Sequence, residues 1–290
     1  MQNDEPLVSI VINCFNGEKY LKEALSSIKK QKYQNFEVIF WDNFSNDESK
    51  KIFLDFADNR FKYFFSDKKL KLYDARNHAL SKCQGDLITF LDVDDMWLEN
   101  KLYEQVKEFQ KSNSDIIYSN YYIKKDEKTK LKEILVKNIT SDYSNHFLKK
   151  YDVALLTICL KRSFLKVKNK VFDPNFNIIG DYAFMMKMAP LSKISIIQKP
   201  LAIYRLHNQN YTILNYDELA KELRFWLKQN TNLKSLKNIT FFEKRLFFYE
   251  AIGELNNNNY FNFIKYLFKI MFTRFFFKAI YFLFKKLLNK

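Results

Sequence analysis

Residues 75–97, ARNHALSKCQGDLITFLDVDDMW, decide how the chain is read. Leu87 to Leu91 is a short apolar run, the pattern of a strand buried on both faces. Asp92-Val93-Asp94-Asp95 follows at once, so three carboxylates stand where a buried strand ends. Upstream, Tyr73 to Cys83 has helical spacing and runs into a Gly85-Asp86 turn. Two readings of the acidic run compete. Oxygen ligands at i and i+2 suit Mg2+ or Mn2+, which take one or two protein carboxylates plus phosphate oxygens. Alternatively, Asp94 or Asp95 caps a helix beginning near Trp97.

Outward from this stretch the same alternation repeats. Leu7 to Asn13 (LVSIVIN) predicts a first buried strand, broken by Asn16-Gly17, and Leu21, Ala24, Leu25 and Ile28 follow at helical spacing. Phe36 to Trp41 predicts a second strand, ending in the polar stretch that opens with Asp42. Glu48 to Ala57 predicts a helix and Phe61 to Phe65 a third strand. Past the acidic run, Leu98, Leu102, Val106 and Phe109 mark a helix and Ile116 to Tyr118 a strand. Alternating strands and helices imply an α/β fold, a Rossmann-like, mostly parallel sheet flanked by helices. Ligands of such sheets sit at the carboxyl ends of the strands, which makes the polar residues there the ones to question.

The second half is less regular. Lys124 to Lys132 is charged and turn-like, an exposed loop or edge, and Thr157 to Leu160 and Ile194 to Ile197 predict short strands. Gly180 to Ala189 predicts a helix. From Asp217 the pattern is helical, interrupted by four asparagines at 256–259. The expected division is a catalytic α/β domain over 1–215 and a helical, basic and aromatic region over 216–290.

Four further residues carry chemistry, each with a plainer alternative. Asp42 can accept hydrogen bonds from a base or ribose, or form an Asx turn. Arg76 can neutralise phosphate, or make a surface salt bridge. Asp181, after Gly180 at the start of an apolar helix, is a general base or an N-cap. His207 follows Arg205 after the short apolar run Leu201-Ala202-Ile203, as a structural histidine or a ligand.

Four segments together resemble family 2 glycosyltransferases of the GT-A fold, over about residues 7 to 212. They are VSIVINCFNGEKYLKEALSSIKKQKYQNFEVIFWDNFSNDES, ARNHALSKCQGDLITFLDVDDMW, FDPNFNIIGDYAFMMKMA and LAIYRLHNQN, in that order. The resemblance implies an inverting transfer from a nucleotide-sugar, UDP-linked by expectation, to a hydroxyl, with Mg2+ or Mn2+. It also implies roles. Asn13 lies in the nucleotide pocket, Asp42 at the base or ribose, Arg76 near the uracil or phosphates, and Asp92 at the ribose or metal. Asp94 binds the metal, His207 approaches it or the diphosphate, and Asp181 deprotonates the acceptor. Two departures stand out. Gly180-Asp181 replaces the usual Glu-Asp pair, and Asp42-Asn43-Phe44-Ser45 replaces the usual Asp-Asp-Gly-Ser.

Composition narrows the classes. Hydrophobic residues make up 47% of the 290, which excludes general disorder. Cys14, Cys83 and Cys159 are scattered, unlike a disulfide framework or zinc site, and fit a reducing cytoplasm. Met1 to Pro6 is acidic and unlike a signal peptide. Of the net charge of +15, seven units come after Glu254, from Lys265, Lys269, Arg274, Lys278, Lys285, Lys286 and Lys290. The longest uncharged stretch within 260–290, Ala279 to Phe284, is too short to span a bilayer. The cationic faces of 265–269 and 274–285 are nearly opposite, which predicts a break near Phe272. An in-plane amphipathic anchor on anionic lipid is therefore expected, with the enzyme peripheral on the inner face of the plasma membrane. A C-terminal helix packed on the protein's core is the alternative. The expected partners are a nucleotide-sugar, a glycan or lipid-linked acceptor of surface polysaccharide synthesis, and that membrane surface. A nucleic-acid-binding protein or a sugar nucleotidyltransferase are the rival functions. The aromatics lie among Ile, Leu and Met, unlike stacking platforms, and a nucleotidyltransferase wants a Gly-rich loop where only Gly17 stands.

Overall fold

The computed structural model describes residues 5–134, 143–165 and 171–288. In chain order the first elements are β1 (Val8–Cys14), α1 (Glu18–Lys29), β2 (Phe36–Asp42), α2 (Ser49–Phe56), β3 (Phe61–Phe65), α3 (Leu72–Leu80) and β4 (Leu87–Phe90). Then come β5 (Met96–Trp97), α4 (Lys101–Ser112), β6 (Ile116–Lys125), β7 (Lys128–Lys132), α5 (Tyr143–Lys149), β8 (Cys159–Lys161) and α6 (Arg162–Leu165). The chain continues through α7 (Gly180–Met188), β9 (Ile194–Leu206), α8 (Tyr211–Leu214), α9 (Tyr216–Gln229), α10 (Ile239–Asn256), α11 (Tyr260–Ile270) and α12 (Arg274–Leu288). Two compact units result, Met1–Thr140 with Asp152–His207, and Ser141–Tyr151 with Asn208–Lys290.

The first unit is α/β. Its strands form one sheet in the order β3-β2-β1-β4-β8-β6-β9-β5, with β7 paired to β6. β3, β2, β1 and β4 are mutually parallel, β6 and β9 are parallel, and β8 joins the two groups antiparallel to both. Every residue of β1, β2 and β4 is buried, as their mostly apolar composition favours, with Ser9, Asn13, Glu37, Asp42 and Thr89 as buried polar exceptions. Leu21, Ala24, Leu25 and Ile28 turn one stripe of α1 into the same core. The turn at Gly85 lies hard against β1. A Cβ there would stand 2.6 Å from Leu7 O and Ser9 N, so only glycine lets β4 enter beside β1. Buried Glu37 on β2 fixes the turn by accepting the Gln84 N–H at 2.6 Å and the Ser9 hydroxyl at 2.6 Å. Burial pushes its carboxyl upward, but Lys62 at 2.8 Å and those donors hold it below the ordinary value.

Three details differ from expectation. Trp97 belongs not to a helix but to β5, paired with Ala202 of β9, so α4 begins only at Lys101. β9 runs for thirteen residues rather than four, because register shifts on either side of Asn120 admit Gln198 and Lys199 and leave Pro200 opposite Asn120. The charged stretch at 124–132 is the β6–β7 hairpin, turning through Asp126 at φ 51°.

The second unit is helical. Phe263, Leu267 and Ile270 of α11 and Phe275 and Ala279 of α12 pack with Phe248, Ala251, Ile252 and Leu255 of α10. The two C-terminal helices separate at Met271–Thr273, where Phe272 takes φ 62°. Their other faces expose Phe261, Phe268, Phe272, Phe277, Tyr281 and Phe284. Lys290 lies outside the described residues. Among the described residues no helix is long and apolar enough to cross a membrane.

Candidate active site

The carboxyl edge of the parallel strands gathers the polar residues singled out above. Asn13 pairs with Trp41 and Cys14 with Asp42 in the β1–β2 register, which sets Asn13 and Asp42 on adjacent strand ends. The β4 ladder continues with the Leu91 N–H donating to Val11 O, so Asp92 emerges on the other side of β1. Asn13 is buried, yet neither its amide oxygen nor its amide nitrogen has a hydrogen-bond partner. Buried amides are seldom left so, and this one retains its full capacity for a ligand.

Asp42 is engaged from within. Its carboxylate accepts the Ser45 N–H at 2.8 Å and the Tyr63 hydroxyl at 2.7 Å, and it is 1% exposed. The turn it organises carries Phe44 at φ 73°, in the left-handed region that suits the family's glycine. Asn43 seals the other side, its amide exchanging hydrogen bonds with the backbone of Leu70.

Arg76 lies on the buried face of α3 and pairs with Asp92, so it is no surface salt bridge. The Asp92 charge raises its pKa further, against the effect of burial. The neighbouring Asn77 points to residues far along the chain, donating to Phe172 O at 2.8 Å and accepting the Phe172 N–H at 2.9 Å. Asn177 accepts the Leu72 N–H at 3.0 Å. These bonds lace α3 to the segment leading into α7, and so bring Asp181 close enough to Arg76 for their charges to interact. Asp181 sits in the first turn of α7, where its carboxylate accepts the Tyr73 hydroxyl at 3.1 Å.

Asp94 and Asp95 do not cap α4. The residue preceding that helix is Asn100, and it makes no side-chain capping bond. Both carboxylates turn toward the end of β9 instead. Asp94 Oδ2 stands 3.0 Å from His207 Nε2, and Asp95 accepts the Arg205 N–H at 2.8 Å. The Arg205 side chain locks the loop by donating Nε–H to Asp94 O at 2.9 Å and a second N–H to Glu23 at 2.7 Å. Burial, then the Asp92 charge, raises the Asp94 carboxyl, and burial, Asp94 and Asp92 raise buried Asp95 well above its ordinary value. Three carboxylates this close, in partial burial, favour a cation.

The fit for a divalent ion follows from the donor set. Among the described residues no cluster of three or more His, Cys, Asp and Glu side chains forms a ready cage. Asp94 and His207, already 3.0 Å apart, supply a carboxylate and an imidazole, and Asp92 stands two residues before Asp94. Such a pair would suit Mg2+ or Mn2+ only if oxygens from a bound molecule completed the coordination. Sequence reasoning missed Tyr73 and the locking role of Arg205, because both act on residues more than a hundred positions away.

Comparison with known proteins agrees with this geometry. The chain matches the model of Glycosyl transferase family 2 over residues 9–191. It is 31% identical, over 76% of its own length and 85% of the other, to UDP-Glc:alpha-D-GlcNAc-diphosphoundecaprenol beta-1,3-glucosyltransferase WfgD of Escherichia coli. Its fold resembles S. aureus TarS 1–349 in complex with UDP-GlcNAc, with TM-score 0.61, 16% identity and coverage of 88% and 89% of the two chains. The chain spans 44% of the longer TarS structure. It likewise resembles mannosyltransferase PcManGT of Pyrobaculum calidifontis in complex with GDP-Man and Mn2+, with TM-score 0.61, 17% identity and coverage of 92% and 74%. An α/β sheet with acidic and amide groups at its carboxyl edge thus has its place among proteins of one activity, and the chain is a glycosyltransferase of the GT-A fold belonging to family 2.

Proposed function

We propose that the enzyme moves a sugar, with inversion, from a UDP-sugar to a hydroxyl of a lipid-linked glycan in surface polysaccharide synthesis. The observation that carries this reading is the pairing of Asp94 with His207 two residues beyond Asp92 and its partner Arg76, with Asp181 reached through Tyr73. Asn13, with both amide atoms unpartnered, and Asp42 on the next strand bind the nucleoside. Arg76 and Asp92 set the ribose and phosphates. Asp94 and His207 would hold Mg2+ or Mn2+, which when bound neutralises charge developing on the departing diphosphate. Asp181 takes the acceptor's proton as its oxygen bonds to the anomeric carbon, and the bond from that carbon to the diphosphate breaks on the opposite face. No covalent enzyme intermediate forms. A lipid-linked acceptor is supported by the diphosphoundecaprenol substrate named for WfgD, and UDP by the names of WfgD and the TarS complex.

The C-terminal helices support attachment to the inner face of the plasma membrane. On α12, Phe277, Tyr281, Phe284 and Leu288 are exposed at helical spacing with Arg274, Lys278 and Lys285 among them. An apolar stripe interleaved with cations suits an anionic bilayer surface. The test is to incubate the enzyme with UDP-sugars and GDP-sugars, Mg2+ or Mn2+, and a polyprenyl-diphosphate sugar. Release of nucleoside diphosphate with an inverted product is expected. A product of retained configuration, or turnover with no nucleotide-sugar, would overturn the reading.

A further inference from the structure

Gly180 and Tyr73 occupy one another's space. A Cβ at Gly180 would fall 2.3 to 2.6 Å from three carbons of the Tyr73 ring, so that ring fills the place a side chain would take. Tyr73 is buried and held on several sides. Its ring lies under the Arg76 guanidinium at 4.7 Å and against Phe172 at 5.2 Å. Its hydroxyl is 3.1 Å from Asp181 Oδ1 and 3.5 Å from Ile178 O, and the shorter contact, to a carboxylate, takes the proton. Burial, then the Asp181 charge, raises this phenol well above its ordinary value, so it remains a donor throughout the working pH range.

We propose that Tyr73 is a positioning residue for the transfer. Its hydroxyl aims the Asp181 carboxylate by donating a hydrogen bond to it, and Gly180 is small so that the ring can come that close. This role rests on Asp181 being the base. The structure gives the device a second consequence. Asp92, Arg76, Tyr73 and Asp181 form one continuous chain of an ion pair, a cation–ring contact and a hydrogen bond, so a group that engages Asp92 acts on the side chains that orient the base.

The experiment compares kcat across pH for the native enzyme and the Tyr73→Phe, Gly180→Ala and Asp181→Asn variants. Tyr73→Phe keeps the ring and loses only the donor to a carboxylate. The acid limb of kcat should therefore move up by about one pH unit, a roughly tenfold loss below that limb that is recovered at high pH. KM for the nucleotide-sugar should stay as it was. Gly180→Ala pushes the ring away and should shift the limb in the same direction with a lower melting temperature. A loss equal at every pH, or an unshifted limb in Tyr73→Phe while Asp181→Asn is inactive, would overturn the role of Tyr73 and leave Asp181 as the base. Normal turnover in Asp181→Asn would overturn both.

Discussion

Lys101 opens α4 with its ammonium group turned inward, and that group should govern how stability varies with pH. The residue is fully buried, with Nζ 2.7 Å from Thr89 Oγ1, 2.7 Å from Gln105 Oε1 and 3.8 Å from the Trp97 ring centre. Burial lowers its pKa from 10.5 to about 7. The facing Cys159 thiol stays neutral, because burial pushes it up to about 12. Between pH 7 and 9 the unfolded chain keeps the lysine proton while the folded chain sheds it, so stability rises with pH, by about 2 kcal/mol over that interval. The ring face and the two oxygen acceptors favour the charged form, which makes this an upper value. Below pH 7 both states hold the proton and the dependence vanishes. Lys101→Met keeps most of the stem and removes the titration. It also orphans Gln105 Oε1, at a cost of about 1–3 kcal/mol that is the same at each pH. Urea unfolding at pH 7, 8 and 9, at constant ionic strength, should show the native protein gaining about 2 kcal/mol more than the variant. Parallel pH dependences would mean that the buried ammonium keeps its ordinary pKa, and the reasoning from burial would fail.

Other consequences are as direct. Asp94→Ala should leave the melting temperature near native while transfer falls roughly 100-fold or more, and EDTA should do the same to the native enzyme; full activity in EDTA would remove the metal from the mechanism. Phe44, at φ 73° and half exposed, should tolerate glycine within about 0.5 kcal/mol, whereas Phe44→Val should cost about 1–2 kcal/mol more, read from denaturant midpoints. Combining Phe268→Ser, Phe272→Ser and Phe277→Ser, all outside the helical core, should weaken binding to anionic vesicles roughly 100-fold without unfolding the protein. Unchanged vesicle binding would leave those faces without a lipid role.

How much of this was legible in the sequence depended on the range of the interactions. β1, β2 and β4 could be read directly, because a strand buried on both faces is predominantly apolar and β-branched or aromatic. The α4 boundary was misjudged because Met96 and Trp97 pair with Ile203 and Ala202, a contact that no local pattern announces. Pro200 concealed the length of β9, since a proline normally ends a strand unless a register shift accommodates it. Asn13 entered through the family resemblance, Arg76 stood out on its helix, and Asp42, Asp92, Asp94, Asp181 and His207 were recognisable as polar residues at element ends. Their partners were not. Tyr73 stood in the sequence only as the first residue of a predicted helix, and its approach to Gly180 and Asp181 gives it meaning. In the C-terminal helices, sequence spacing separated the cationic faces, while the structure alone shows which apolar residues pack on α10 and which stay exposed.

Arg205 donates to the carbonyl of Asp94 across 111 positions of sequence, and this separation imposes an order of events on the growing chain. At 5–20 residues per second, a ribosome that has just added Asp94 needs on the order of ten seconds to reach Arg205. β1 and β2 have by then long been available to pair, so the ends carrying Asn13 and Asp42 are set early. The acidic loop waits, three close carboxylates repelling one another, until β9 arrives with the arginine and histidine that orient them. The strand ends carrying Asn13 and Asp42 thus precede the ordered acidic loop in biosynthesis. A polypeptide interrupted before Arg205 carries the whole acidic motif without the bonds that give it shape.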